Sequence, residues 1–470
     1  MSTTVQARTL QGMRDFLPER MILRSWVIGQ LRDVFESFGF EPLDTPAVEY
    51  AETLKGKYGE EADKLIYGFE DRGGRAVGLR YDLTVPLARV VAQYPELPRP
   101  FKRYHIAPVW RAERPQRGRY REFTQCDVDI AGSDSSLADA EIIAVVGAGF
   151  DRLGFPDYTV RLNSRKLLAG LAGWLDVSGE RTLSLFRTLD KLDKIGWEGV
   201  LAELGERGFE ARLGDELRAL FERTDLPQSS PDESRRVLRS LEEQFADRPL
   251  ALEGIAELGQ LLDAIGPLGV RAGTYRIDLS MIRGLDYYTG PIFEVAVEKP
   301  KIGSVASGGR YDNLIGIFSG RAVPATGGSF GFDRIIDVIE ELDLQPRGLG
   351  GTVTQVFVTV FGPETTGASL ALARDLRAAG VRTEVALTGD RLPNQLRSAG
   401  RRNVPFVAIL GPDEIAANEV VVRDMASGEQ TRLPRATAPA TLATRLGIPS
   451  PSAVPSPAGS RFEARRAGPG

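Results

Sequence analysis

Five arginines crowd into one short segment of the sequence, WRAERPQRGRYREFTQCDVDIAG at residues 110–132; they are Arg111, Arg114, Arg117, Arg119 and Arg121. Pro115 and Gly118 interrupt the segment as turn residues, so it predicts two strands joined by a strongly cationic loop. A guanidinium group binds phosphate or carboxylate oxygens through a planar fork of N–H donors. Taken alone, the segment leaves two interpretations open, a basic hairpin exposed to solvent and a site for an anionic ligand.

The second predicted strand alternates between two kinds of side chain. One face carries Phe123, Gln125, Asp127 and Asp129, and the other carries Thr124, Cys126, Val128 and Ile130. A period of two places one set against a packed core and leaves the other free to line a polar pocket. The strand therefore predicts a polar pocket beside the arginines.

Two further arginines stand next to glycine on or beside predicted strands. Arg283 begins the segment RGLDYYTG, and Arg334 lies in the first turn of the helix that follows GGSFGF. A helix N-terminus does not favour a cation, so we expect Arg334 to face an anion. Several converging arginines can stabilise the charge that develops on a pentavalent phosphorus. The sequence has no Walker A motif, no dinucleotide-binding glycine motif after a first strand and no kinase signature, which narrows the ways in which it could handle phosphate.

Composition limits the remaining possibilities. The chain has 470 residues, which suggests about three domains. A single cysteine, Cys126, excludes an internal disulfide and a multi-cysteine zinc site, and the one histidine, His105, is interpreted as a structural residue of a strand. The net charge of −5 gives no overall attraction to nucleic acid, so a nucleic-acid partner must be held by local basic patches. No stretch approaches the roughly 20 apolar residues of a spanning helix, so we expect a cytoplasmic protein with no membrane partner.

The elements that would position these residues alternate along the chain. Strand–turn–strand units flanked by helices predict an α+β fold with an antiparallel sheet. Leucines at helical spacing between residues 175 and 267 predict a mainly helical insertion. Beyond residue 352, strands alternating with helices predict a small α/β domain, and the Pro-, Ala-, Ser- and Gly-rich C-terminal segment predicts a disordered tail.

Several segments together resemble one enzyme family. RAERPQRGRYREF is similar to motif 2 of the class II aminoacyl-tRNA synthetases, GGSFGFDR to their motif 3, and Phe38–Glu49 to motif 1, the dimerisation segment. RGLDYYTG and SVASGGRYDNL closely resemble the two signature segments of the histidyl-tRNA synthetases within that class. The resemblance runs from Gly12 to about Leu433, and it implies a class II antiparallel sheet flanked by helices, a helical insertion and a C-terminal anticodon-binding α/β domain.

The resemblance implies a role for each matching residue. Residues for L-histidine would be Asp82 and Thr84, at the α-amino group, and Gln125, Asp129, Tyr287 and Tyr288. Residues for ATP would be Arg111, at the α-phosphate and the attacking carboxylate, Glu113, on the adenine side, Arg119 and Arg334, at the outer phosphates, and Phe123, stacked on adenine. Arg283 resembles the arginine that this family uses near the α-phosphate in place of a catalytic metal ligand, so Arg283 and Arg111 would be the catalytic residues.

The implied reaction is the ATP-dependent ligation of L-histidine to its cognate tRNA through a histidyl-adenylate. ATP would be a substrate carrying Mg²⁺, with the magnesium ligands left open and no zinc required. The partners would be histidine tRNA and a second copy of the chain, bound through the catalytic domain. The tip of the arginine loop, Gln116–Gly118, is expected to meet the tRNA acceptor end. Four arginines of the C-terminal domain form either a phosphate-binding face or an ordinary solvated helix face: Arg391, Arg397, Arg401 and Arg402.

The predicted domain boundaries follow from the same segments. They are 1–174 and 268–340 for the two parts of the catalytic domain, 175–267 for the insertion, 341–352 for a linker, 353–435 for the anticodon-binding domain and 436–470 for the tail.

Two non-catalytic alternatives compete with this interpretation. One is the synthetase-like regulatory subunit of ATP phosphoribosyltransferase, and the other is a synthetase-like module that binds tRNA without charging it. The regulatory paralogues usually lack the anticodon-binding domain and have a degraded RGLDYYTG segment, whereas this sequence has both. The presence of Arg111, Arg283 and Arg334 together argues against the second. The segments RYDLT and REFTQCDVDIAG resemble the eukaryotic-type version rather than the common bacterial one.

Overall fold

The computed structural model describes residues 5–56, 65–115, 120–225, 230–282, 287–346 and 348–448. The chain divides into two compact units. The larger unit comprises Met1–Asp15 and Ser25–Gln345, and the smaller comprises Phe16–Arg24 and Pro346–Gly470. No helix within the described residues is both long enough and apolar enough to cross a membrane.

The larger unit is built around an eight-stranded sheet. Its strands, in spatial order, are β1 (Glu41–Pro42), β5 (Phe101–Trp110), β6 (Glu122–Ala131), β11 (Ala325–Phe330), β10 (Ala306–Arg310), β9 (Pro291–Ala296), β7 (Thr159–Ser164) and β8 (Tyr275–Ile277). The six strands from β5 to β7 pair in antiparallel fashion, as the sequence predicts. The two edge pairings, β1 with β5 and β7 with β8, are parallel.

The two edge pairs of the large sheet are parallel because long segments of chain connect their strands. Parallel neighbours cannot be joined by a tight turn and need a long crossover. Between β7 and β8 the chain forms the helices α5 (Arg165–Trp174), α6 (Glu180–Leu189), α7 (Leu192–Glu206), α8 (Ala211–Thr224), α9 (Pro231–Gln244) and α10 (Pro249–Ile265). Gly196 interrupts α7 with a non-helical φ of 65°.

A smaller antiparallel sheet lies in the crossover between β1 and β5. It consists of β2 (Val48–Tyr50), β4 (Ala76–Leu79) and β3 (Gly68–Glu70), with β4 in the centre. The other helices of this part of the chain are α1 (Pro18–Ser37), α2 (Ala51–Lys55), α3 (Thr84–Gln93), α4 (Ser136–Arg152), α11 (Gly316–Ser319) and α12 (Phe332–Glu341).

Helices cover one face of the large sheet and leave the other available for a site. The ring of Phe330 on β11 lies 5.6 Å from that of Phe35 on α1 and 5.7 Å from that of Phe150 on α4. Gly149 lets α4 approach, because a Cβ there would lie 2.8 Å from the Phe330 ring. Ser135 caps α4 by accepting a hydrogen bond from the Leu137 N–H.

The smaller unit contains a five-stranded sheet in the order β13 (Thr383–Val385), β12 (Val356–Val358), β14 (Phe406–Ile409), β15 (Glu419–Asp424) and β16 (Gln430–Pro434). Its helices are α13 (Pro363–Ala378), α14 (Leu392–Arg401), α15 (Pro412–Ala417) and α16 (Ala438–Arg445). The strand β12 is parallel to both β13 and β14, which the α13 and α14 crossovers require.

The boundary predicted for the disordered tail lies too early. Residues 438–445 form α16, and Ala438 and Leu442 are fully buried in the core of the smaller unit. The Pro- and Ala-rich composition suggested disorder, but Pro439 lies in the first turn of the helix, where its missing N–H has no cost. Residues 449–470 lie outside the described residues.

Candidate active site

A cavity of about 540 Å³ opens on the uncovered face of the large sheet. Of the twelve site residues predicted from the sequence, ten line this cavity: Asp82, Thr84, Arg111, Glu113, Phe123, Gln125, Asp129, Tyr287, Tyr288 and Arg334. The other two, Arg119 and Arg283, lie outside the described residues, as does the loop tip Gln116–Gly118. The structure thus brings together positions that are more than 200 residues apart in the sequence.

The alternation of β6 accounts for the floor of the cavity. Gln125, Asp127 and Asp129 line it, whereas Cys126 and Val128 are fully buried on the opposite face. Phe123 and Asp129 are six residues apart on an extended strand, which separates them by about 20 Å. The cavity therefore has an aromatic end at Phe123 and an acidic end at Asp129.

Asp129 is held by two buried side chains that the sequence did not single out. Arg103, on the neighbouring strand β5, is fully buried and pairs with Asp129 at 2.7 Å. Tyr311, which follows β10, donates its hydroxyl to the other carboxylate oxygen. Burial raises the pKa of Asp129, while the Arg103 charge and the Tyr311 hydrogen bond lower it. Gly327 is needed beside it, because a Cβ there would overlap the Asp129 carboxylate.

Two neighbouring tyrosine rings, tilted by 31° to each other, line the cavity near the acidic end. The rings of Tyr287 and Tyr288 are 4.2 Å apart, and Tyr287 lies 5.7 Å from Tyr311. Gly309 on β10 permits this arrangement, since a Cβ there would lie 3.0 Å from the Tyr288 ring. Flat aromatic faces with polar tips suit a planar, partly polar ligand.

Asp82 stands at the entrance to α3. Its carboxylate accepts a hydrogen bond from the Val85 N–H at 3.0 Å. Burial raises the pKa of Asp82 to about 6, although that hydrogen bond and the charges of Arg111 and Arg103 act in the opposite direction. Thr84, the first residue of α3, lines the same wall of the cavity.

The arginine side chains lie at the aromatic end of the cavity. Arg111 donates from Nε to the Tyr81 carbonyl oxygen at 3.1 Å, and its guanidinium lies 5.0 Å from the centre of the Phe123 ring. Arg334, in the first turn of α12, donates to the Ser304 carbonyl oxygen at 2.6 Å. Both arginines line the cavity, so an anion bound there would meet two guanidinium groups.

The N-terminal segment contacts this end of the cavity, and the sequence analysis did not predict these contacts. Arg14 pairs with Asp333 at 3.0 Å, and its guanidinium lies 3.2 Å above the Tyr120 ring. Asp333 also accepts a hydrogen bond from the Thr124 N–H at 3.3 Å, which ties α12 to β6. No local pattern signals these contacts, because they join three distant parts of the chain.

Comparisons with known proteins agree with this architecture. A family model described as histidyl-tRNA synthetase matches residues 12–335, and one described as an anticodon binding domain matches residues 355–445. The histidine–tRNA ligase of Aeropyrum pernix is 44% identical, over 91% of this chain and 95% of that protein.

Solved structures are similar over nearly the whole chain. The crystal structure of histidyl-tRNA synthetase from Nostoc sp. PCC 7120 superposes with a TM-score of 0.84 at 31% identity, covering 94% of this chain and 100% of that one. The fold is also shared by a protein from Bacillus halodurans, which is described as an ATP phosphoribosyltransferase regulatory subunit/histidyl-tRNA synthetase. It superposes with a TM-score of 0.71 at 23% identity, covering 87% of this chain and 99% of that one. The predictions of the family and of the class II fold are confirmed: this chain belongs to the histidyl-tRNA synthetase family.

Proposed function

We propose that this chain is a histidine–tRNA ligase that uses ATP to attach L-histidine to its cognate tRNA through a histidyl-adenylate. The observation that carries the proposal is the polarity of the cavity, with carboxylates at one end and arginines around an aromatic ring at the other. That arrangement fits an amino acid with an N–H-bearing side chain next to a nucleoside triphosphate.

L-Histidine occupies the acidic end in this proposal. Asp82 and Thr84 hold the α-amino group, a role supported by the carboxylate at the entrance to α3. Gln125, Asp129 and the tyrosines Tyr287 and Tyr288 surround the imidazole. The fixed orientation of Asp129 by Arg103 and Tyr311 supports this assignment, because a preorganised acceptor loses little entropy when the ligand binds.

ATP occupies the cationic end. Phe123 stacks on the adenine, Glu113 faces it, and Arg334 and Arg119 hold the outer phosphates. Arg111 bridges the α-phosphate and the histidine carboxylate, which the hydrogen bond to Tyr81 and its position beside Phe123 support. Arg283 completes the charge around the α-phosphate by resemblance to the family.

The reaction runs in two steps. A carboxylate oxygen of histidine attacks the α-phosphorus in line, the bond to the β-phosphate oxygen breaks, and pyrophosphate leaves. The arginines supply positioning and charge compensation, and no protein nucleophile is required. A ribose hydroxyl at the tRNA terminus then attacks the activated carbonyl and releases AMP.

Magnesium enters as part of the substrate Mg-ATP. Within the described residues, no three His, Cys, Asp or Glu side chains are grouped so that they could hold a metal ion. Magnesium bound with the nucleotide would supply charge compensation for the phosphates, and its protein ligands stay open.

A homodimer formed through the catalytic domain is also part of the proposal. The small sheet exposes three large apolar side chains, Val48, Tyr50 and Phe69, each between 44% and 50% accessible. Tyr94, just after α3, is exposed to a similar extent. Apolar side chains clustered beside the motif 1 segment support an interface there.

Sedimentation analysis should give twice the monomer mass, and Tyr50→Glu should shift the protein towards monomer.

The domain boundaries predicted from the sequence, apart from that of the tail, remain part of the proposal. The family matches at 12–335 and 355–445 support a division near residues 341–352. The C-terminal domain then binds the anticodon region of histidine tRNA. We place the charging of tRNA in the cytoplasm, where translation consumes the charged tRNA.

The test is histidine-dependent exchange of labelled pyrophosphate into ATP, followed by charging of tRNA. We expect exchange with L-histidine alone among the amino acids. No exchange with any amino acid would overturn the enzyme assignment and favour the regulatory subunit of ATP phosphoribosyltransferase. That alternative has less support, because relatives such as the Aeropyrum pernix protein carry the ligase name.

A further inference from the structure

The acidic end of the cavity contains one carboxylate that the roles assigned above leave unused. Asp127 lies on β6 between Gln125 and Asp129, lines the cavity and is only 2% exposed. Its Oδ2 lies 3.5 Å from the amide nitrogen of Gln125. Among the described residues, its Oδ1 has no hydrogen-bond partner. A buried carboxylate oxygen without a partner carries a large desolvation cost, so a ligand donor is its natural complement.

We propose that Asp127 is a specificity-determining residue that accepts a hydrogen bond from the imidazole of the histidine substrate through Oδ1. The inference rests on the proposed function, since it assigns a contact within the histidine site. It adds a second carboxylate to the one expected at Asp129.

The spacing on the strand supports this contact. Residues two apart on an extended strand project to the same face about 7 Å apart. A ring with nitrogens on two edges, making a hydrogen bond of about 2.8 Å on each side, spans a similar distance. Asp127 and Asp129 can therefore flank one imidazole ring, each facing one ring nitrogen. Both ring nitrogens donate only when an additional proton is bound, and that proton is shared between the ring and Asp127.

Among the described residues, the buried Arg103 is the cation whose charge acts on Asp127, and its ion pair is with Asp129 instead. Directly opposite on β5, His105 points its Nε2 to Asp44 at 3.0 Å, and burial together with the charges of Arg103 and Arg80 lowers the pKa of His105 to about 4. Opposite on β11 stands Ser329, whose side chain carries no charge but hydrogen-bonds Asp127 and lowers its pKa, while the charge of Asp82 raises it. Arg103 is the buried cation, and it pairs with Asp129 at 2.7 Å.

The positive charge of Arg103 thus acts on the carboxylates of both Asp127 and Asp129 at this end of the cavity. Burial raises the pKa of Asp127 to about 7, with the Arg103 charge opposing the rise and the Asp129 charge adding to it. An imidazole titrates near pH 6.5 in water, so donor and acceptor have similar proton affinities. Such a pair can share a proton in a charge-assisted hydrogen bond, which is stronger than a neutral one.

The test removes the negative charge of the Asp127 side chain and keeps its shape, because the asparagine amide offers one neutral acceptor oxygen and an NH2 donor in place of the carboxylate. We expect Asp127→Asn to raise the KM for L-histidine about 10- to 100-fold in pyrophosphate exchange, with the KM for ATP unchanged and kcat changed much less. A general loss of folding would instead affect both substrates. Asp157→Asn, an exposed carboxyl on the same unit, is the matched control and should leave all three constants unchanged. Asp127→Ser serves the same purpose if the Asn variant does not fold.

Binding of imidazolepropionate, which lacks the α-amino group, locates the contact. If Asp127 contacts the imidazole, Asp127→Asn weakens binding of imidazolepropionate and of histidine by a similar factor in calorimetry. If the variant weakens histidine alone, Asp127 contacts the α-ammonium instead and the inference is wrong. Wild-type affinity of the variant for both ligands also overturns it, whereas a wild-type protein that activates no amino acid overturns the proposed function.

Discussion

Burial of acidic side chains in the cavity makes the stability of the folded protein depend on pH. Burial raises the pKa of Asp127 to about 7 and that of Asp82 to about 6, both above the value near 3.9 expected in the unfolded chain. Between these values the folded state binds more protons than the unfolded state. The free energy of unfolding contributed by these groups therefore falls as the pH rises from about 4 to about 7.

We expect Asp127→Asn to remove the contribution of Asp127 to this pH-dependent loss of stability. The melting temperature of the variant should exceed that of the wild type by a few degrees at pH 8, and the difference should shrink towards pH 5, where Asp127 is protonated in the folded state. Thermal unfolding at the two pH values measures it. The same difference at pH 5 and pH 8 would contradict a burial-raised pKa.

Arg111 gives the sharpest test of the cationic end. Its guanidinium donates to the Tyr81 carbonyl oxygen and lies beside Phe123. In the proposed role, this held guanidinium stabilises charge that develops on the α-phosphorus. We expect Arg111→Ala to lower the rate of pyrophosphate exchange by about 100- to 1000-fold. Arg114→Ala is the matched control, because Arg114 is an exposed arginine on the same hairpin. Equal losses in the two variants would indicate a general charge effect.

Local periodicity predicted the residues of β6 but not the residues that support them. Gln125 and Asp129 follow from the period of two, which is a property of neighbouring residues. Tyr311 lies 182 residues from Asp129 in sequence and meets it only through the pairing of β6, β11 and β10. Arg103 faces Asp129 because of the register of β5 with β6. Strand register depends on tertiary packing, so no motif in the sequence carries this information.

At the scale of elements, the hairpin of β5 and β6 was predictable and the sheet edges were not. The sequence predicts two strands joined by a cationic loop, and β5 and β6 lie on either side of that loop. Alternation indicates which side of a strand is buried, but it does not indicate the direction of its neighbour. The parallel edge pairs depend on the long crossovers through the small sheet and the helices α5–α10.

The N-terminal segment is an element whose contacts suggest a measurable effect on nucleotide binding. Arg14 joins Tyr120, at the base of the arginine loop, to Asp333, next to Arg334. We expect Arg14→Ala to raise the KM for ATP about 3- to 10-fold while the KM for histidine stays the same, because the contact braces only the cationic end. Arg8→Ala, an exposed position in the same segment, should change neither constant. A parallel rise in both KM values would mean that Arg14 supports the fold as a whole.

At the scale of the whole molecule, the proposed function places the chemistry in the larger unit and the recognition of tRNA in the smaller unit. The cavity is lined entirely by residues of the larger unit, and the smaller unit matches the anticodon binding domain model. Of the four arginines predicted as a phosphate-binding face, Arg402 pairs with Glu384 at 2.5 Å and lies 5.5 Å from the Phe357 ring centre. Arg391, Arg397 and Arg401 are exposed. Both interpretations of the four arginines stay open, and Arg402 differs from the other three in having Glu384 as an ion-pair partner.

Reversing one of these charges should separate the two steps of the reaction. Arg397 is exposed on α14 and donates a 3.2 Å hydrogen bond to the Asn394 side-chain oxygen. We expect Arg397→Glu to lower kcat/KM for tRNA charging about 10-fold, because a phosphate contact is replaced by repulsion, while histidine-dependent pyrophosphate exchange remains at the wild-type rate. Arg374→Glu, an exposed arginine on α13 of the same unit, is the matched control for added negative charge. Raising the salt concentration should reduce the defect of Arg397→Glu, since screening weakens repulsion between exposed charges. An equal defect in exchange and charging would contradict the assignment of the smaller unit to tRNA binding, because the proposed site of adenylate formation is the cavity of the larger unit.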